Sequence, residues 1–117
     1  MIALMDNQPI TPGHALVGLR EHVASFIDLP AERAGQLMRV AQCIDRAIRR
    51  SALRCEAVTL FHSDGGAAGQ VVNHVHPHIL PRFEGDGFVM RLDYSYQYKL
   101  NRDQLDRTAS EIRRCCP

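Results

Sequence analysis

The chain has 117 residues, which is enough for one domain with one core. Apolar residues make up 45% and charged residues 23%, which excludes a disordered chain, and a formal charge of +1 excludes a general basic field for nucleic acid. No apolar run approaches the ~20 residues that cross a bilayer, and Met1 to Asp6 show neither a basic region nor a cleavage-site pattern, so a cytoplasmic protein is expected, with no membrane or nucleic-acid partner.

In chain order, Asn7 to Gly13 is a turn segment with two prolines and a glycine, and His14 to Arg20 reads as a strand that Gly18 weakens. Pro30 through Leu53 is the strongest helix. Leu37, Val40, Ala41, Ile44, Ala47 and Ile48 recur at helical spacing, and Arg49, Arg50 and Arg54 suit the negative end of its dipole. Ala57 to His62 reads as a second strand, Asp64 to Gln70 as a glycine-rich loop, and Val71 to Leu80 as a third extended segment ended by Pro81. A turn over Phe83 to Phe88 precedes a short strand at Val89 to Leu92. Asn101 or Asp103 caps a final helix carrying Leu105, Ala109 and Ile112. This order of elements predicts an α+β fold. The cysteines, Cys43, Cys55, Cys115 and Cys116, form no Cys-x-x-Cys pair and are expected as free thiols, with Cys43 a small core residue of the long helix.

The chemistry concentrates in His74-Val75-His76-Pro77-His78. On an extended strand the three imidazoles share one face, while Val75, Pro77 and Ile79 turn to the core. Three readings fit such a row: a hydrogen-bonded face without chemistry, a zinc site, or an anion site with a histidine nucleophile. The loop before it favours the third. Gly65, Gly66 and Gly69 bring backbone amides close to an anion, and the loop ends four residues before the first histidine.

The stretch from Asp64 to Arg82, with Ala68-Gly69-Gln70 ahead of the alternating histidines, resembles the signature of the histidine-triad (HIT) nucleotide hydrolases and transferases. Asp6 to His14 is similar to the family's aspartate-to-Pro-Gly-His segment, and Arg20-Glu21-His22-Val23 to its continuation, so the matches run from about residue 6 to residue 88.

The resemblance implies a HIT-like antiparallel sheet with one long helix and a C-terminal helix, a single domain over residues 1–117, and a homodimer. It implies attack by His76 on the α-phosphorus of a nucleoside phosphoramidate or dinucleoside polyphosphate, through a nucleotidyl-histidine intermediate that water resolves. His78 binds phosphate oxygens and handles protons, His74 orients the nucleophile, and His14 completes the phosphate-side cluster. Asp6 holds the ribose hydroxyls, and Ser63, Gly69 and Gln70 lie along the phosphates. No metal or other cofactor is required. His22 is assigned to a structural hydrogen bond, and His62 is given no role.

Several positions depart from the family pattern. The family's strands ahead of Asp6 are expected to be missing here, Pro77 interrupts the donors of the triad strand, Ser63 replaces an amide side chain, and Gly18-Leu19 replaces Ile-Pro. Pro77 and the short start leave open, as the alternative, a nucleotide-binding HIT-like protein with little or no turnover.

Overall fold

In a computed structural model, residues 1–89 and 98–117 are described. The expected short strand at Val89 to Leu92 lies, from residue 90 on, outside them. Among the described residues there are four strands and two α-helices: β1 (Ile2–Met5), β2 (Ala15–Gly18), α1 (Ala31–Arg50), β3 (Ala57–Phe61), β4 (His78–Arg82) and α2 (Arg102–Cys115). The strands form one sheet in the order β1-β2-β4-β3, with every neighbouring pair antiparallel. The fold is α+β.

Because side chains alternate along a strand, opposed residues share a face. Ala15 opposes Ile79, and both turn with Val17 toward α1, whose buried Leu37, Ala41 and Ile48 complete the core. Leu16 opposes His78 and His78 opposes Phe61, so these three stand on the other face. The sheet therefore separates the hydrophobic core from His78 and its neighbours.

Several expectations need correction. Ile2–Met5 forms a strand where none was read, because four consecutive apolar residues have no period by which to recognise them. Helix α1 stops at Arg50 rather than Leu53. Ser51 leaves helical geometry, its N–H reaching Ile48 O at 3.1 Å and its hydroxyl donating to the same oxygen at 2.7 Å. Cys43 is exposed, not core, since two residues past Ala41 is about 200° around the helix, opposite the stripe of Leu37, Ala41 and Ile48.

The extended segment also differs. Only His78–Arg82 pairs as a strand, and His74 and His76 precede it. Burial still alternates as expected, with Val75, Pro77 and Ile79 buried and the three histidines half-buried. Pro81 does not end the strand; it pairs with Val58 inside β4. Asn101 caps α2, its side chain accepting from Gln104 N–H at 2.9 Å while the Gln104 side chain accepts from Asn101 N–H at 2.9 Å. Among the described residues, no helix is long and apolar enough to cross a membrane.

Candidate active site

His78 opens β4 with its ring flat against Phe61, 4.3 Å between centroids and 3° between planes. On its other side His14 Nε2 lies 2.9 Å from His78 Nδ1. His14, only 1% exposed, is held by the turn before β2, where Ile10 N–H donates to its Nδ1 at 3.3 Å. The network assigns the protons. With Nδ1 of His14 accepting, Nε2–H must donate to His78 Nδ1, which leaves the His78 proton on Nε2.

Burial first, and then the neighbouring imidazoles of His76 and His14, lower His78 from 6.5 to about 4. Burial also lowers His14, outweighing the opposing pull of Asp6. Two neutral rings at pH 7 therefore form a directed relay ending in one N–H donor.

His76 is pinned differently. Its Nδ1–H donates to the His74 carbonyl at 2.5 Å, so Nε2 carries the free lone pair. His74 in turn donates from Nε2 to Leu19 O at 3.1 Å and stacks on His22, 5.6 Å between centroids. This explains Gly18: a Cβ there would lie 3.3 Å from His74 Nε2 and 3.3 Å from Val75 O. Gly13 serves His14 in the same way. It has φ +91°, and a Cβ would fall 2.8 Å from Leu53 Cδ1 and 3.0 Å from Pro81 Cγ.

Pro77 is not a break within the ladder. It sits just ahead of β4, where its missing N–H interrupts no strand bond, and its carbonyl accepts from Val17 N–H at 3.1 Å.

Asp6, His14, Ser63, Gly69, Gln70, His76 and His78 all line one cleft of about 430 Å³, joined by Asn7, Gln8, Ile10, Phe61 and the apolar Leu16, Val71 and Val72. Asp6 Oδ2 lies 3.5 Å from His14 Nδ1, and Oδ1 accepts from Gln8 N–H at 2.8 Å. The glycine loop is not open coil: Gly66–Ala68 is a 3-10 turn flanked by Gly65 at φ +87° and Gly69 at φ +84°. The Gln70 side chain holds that loop shut. Its Oε1 accepts from Gly65 N–H at 2.7 Å, and its Nε2 donates to Ala24 O at 2.9 Å and His74 O at 3.3 Å. Gln70 thus contributes backbone and rigidity, while its amide is already committed. Of the expected site residues, only His74 lies off this cleft; it borders a second, mainly aliphatic groove of about 460 Å³ with Ile2, Leu4, Leu16, Leu19, Val72 and His76. Leu16, Val72 and His76 belong to both walls, so the two spaces meet at His76.

Asp6, His14 and His78 bring one oxygen and two nitrogens within 4.8 Å of one another, a spacing that a metal ion can bridge. The His14–His78 hydrogen bond already occupies a nitrogen of each ring. Phe61, Leu16 and Val72 were missed from sequence. They are ordinary apolar residues, and only the strand register brings Phe61 and Leu16 beside His78.

The HIT domain profile matches residues 1–85, and the chain belongs to the HIT family. It is 34% identical over 103 residues to an HIT-like protein of Saccharolobus solfataricus, covering 84% of this chain and 73% of that one. It is 39% identical over 122 residues to the bifunctional bis(5'-adenosyl)-triphosphatase/adenylylsulfatase of Arabidopsis thaliana, covering 94% of this chain and 66% of the relative. Among solved structures, an HIT family protein of Bacillus anthracis superposes with a TM-score of 0.84 at 30% identity, over 98% of this chain and 81% of the other. The family includes hydrolases that split dinucleoside triphosphates.

Proposed function

We propose that this chain is a nucleotide hydrolase or nucleotidyl transferase acting at the α-phosphate of a nucleoside phosphoramidate or dinucleoside polyphosphate, and that it works as a homodimer in the cytoplasm. The observation that carries the reading is the arrangement at His76. Its Nδ1 is tied to a carbonyl, its Nε2 is free, and the N–H of neutral His78 stands in the same cleft.

In this mechanism the nucleoside enters along the aliphatic groove, where base and Leu16 or Val72 exclude water from each other. Asp6, at the polar end, accepts from the ribose hydroxyls. His76 Nε2 attacks phosphorus while the bond to the leaving group breaks, giving a nucleotidyl-imidazole. His78 Nε2–H and the backbone near Gly69 hold the non-bridging oxygens as charge develops on them. Water then attacks the same phosphorus, the P–N bond breaks, and His76 is restored. The two-step path replaces one difficult displacement with two easier ones. No metal enters it. The Arabidopsis relative, a bis(5'-adenosyl)-triphosphatase, supports the substrate class.

Adenosine 5'-phosphoramidate is the test substrate, with and without chelator. The expected result is chelator-resistant release of the monophosphate, falling by at least about a thousandfold in His76→Ala because the nucleophile is gone. Turnover that survives in His76→Ala, or that chelation abolishes, refutes the proposal.

A further inference from the structure

His62 has no part in the chemistry above, yet its two ring nitrogens are the only buried side-chain polar atoms without a hydrogen-bond partner among the described residues. An unpaired buried polar atom is costly and calls for a reason. The ring follows Phe61 directly, just past the end of β3. It stands edge-on to His76, with 6.4 Å between centroids and 80° between planes.

On its other flank His62 Nε2 lies 3.9 Å from Asp64 Oδ1. That carboxylate is fixed in place: Phe26 N–H donates to it at 2.9 Å and the Ser25 hydroxyl at 3.0 Å. The Phe26 bond, chiefly, holds the Asp64 carboxyl below the usual range, so it is ionised at neutral pH. The groups facing His62 are Asp64 from its own loop, His76 and His78 from the triad segment, and the Phe26 ring at 5.9 Å from the turn before α1.

From this juxtaposition we infer that His62 is a positioning residue: it takes a proton against Asp64 and sets that positive charge behind His76, keeping the nucleophile unprotonated. Closing the gap to Asp64 by about 1 Å makes an Nε2–H to carboxylate hydrogen bond and satisfies one of the orphaned nitrogens. The resulting charge, shielded from water, opposes a second proton on His76, whose Nε2 lone pair must be free to attack. The inference rests on His76 as nucleophile and adds a group that the hydrolase reading does not use.

The test is a histidine-ring NMR titration of the free protein, wild type beside His62→Phe and Asp64→Asn, with kcat/KM for adenosine phosphoramidate measured over the same pH range. In His62→Phe, the proton affinity of His76 is expected to rise about threefold or more. The acid limb of kcat/KM moves to higher pH with it, while KM on the alkaline plateau stays within about twofold. In Asp64→Asn, His62 itself titrates at lower pH. Should His62→Phe fail to fold, His62→Gln carries the same comparison. A His76 midpoint that ignores the loss of His62, or a His62 midpoint that ignores the loss of Asp64, overturns the inference. If the couplings are found and wild type turns over no substrate, the hydrolase reading falls and the His62 pair stands.

Discussion

His78 is kept neutral by burial, and that has a cost in acid. The folded ring titrates at about 4, while the unfolded chain takes up the same proton near 6.5. Between those values the unfolded state binds more protons, so acid favours it. The stability contributed by neutral His78 is complete above pH 6.5 and is lost as pH falls toward 4; His14, lowered for the same reason, acts in the same direction. Urea midpoints should therefore drop from pH 7 to pH 4.5 in wild type, with a shallower fall in His78→Asn. A slope that the substitution leaves unchanged would assign acid sensitivity to other groups. At this scale much was legible. Period-two burial survives even where the strand does not form, so reading His74, His76 and His78 as one set needed only the alternation. His62 was not legible, because its significance is two unmet nitrogens, a property of packing that a single sequence does not carry.

Elements were less legible than residues. The triad segment reads as a strand throughout because it alternates, but Val75 N–H bonds Val23 O and His74 N–H bonds Val72 O, so its early amides are spent outside the ladder. This relocation relieves Pro77, which would have cost a bond inside a strand and costs none ahead of it. Pro77→Ala should accordingly leave kcat/KM within about threefold of wild type, because the cleft depends on the Val17 to Pro77 carbonyl bond, which alanine keeps. Stability should fall by about 1 kcal/mol, from lost packing and a freer unfolded chain. A change of a hundredfold in turnover, in either direction, would show that the ring itself sets the histidine geometry. By contrast α1 was read nearly to its ends, since its apolar stripe repeats over 20 residues and Ser51 displaces only the last turn.

At the scale of the whole molecule, α2 is the α-helix that buries no side chain against the described residues. It carries a full capping box and 14 residues, yet none of them is buried, and Leu105 and Ile112 are 47% and 60% exposed. A helix of that length is marginal in water without tertiary contacts, whatever its cap. The radius of gyration, 17.0 Å, also exceeds the ~13 Å of a compact chain this long, and the molecule extends 50 Å along its greatest axis. These dimensions and the bare Leu105–Ile112 face favour the proposed pairing of two chains, in which apolar surface exposed on one is covered by the other. Hydrogen exchange at two concentrations decides it. The amides of α1, buried over Leu37, Ala41 and Ile48, should exchange slowly and alike at both. Those of α2 should exchange rapidly in dilute solution and become protected as concentration rises, and Ile112→Glu should abolish that gain while leaving α1 protection intact. Fast exchange in α2 at every concentration would mean that its apolar face stays open and that association, if it occurs, runs through another surface.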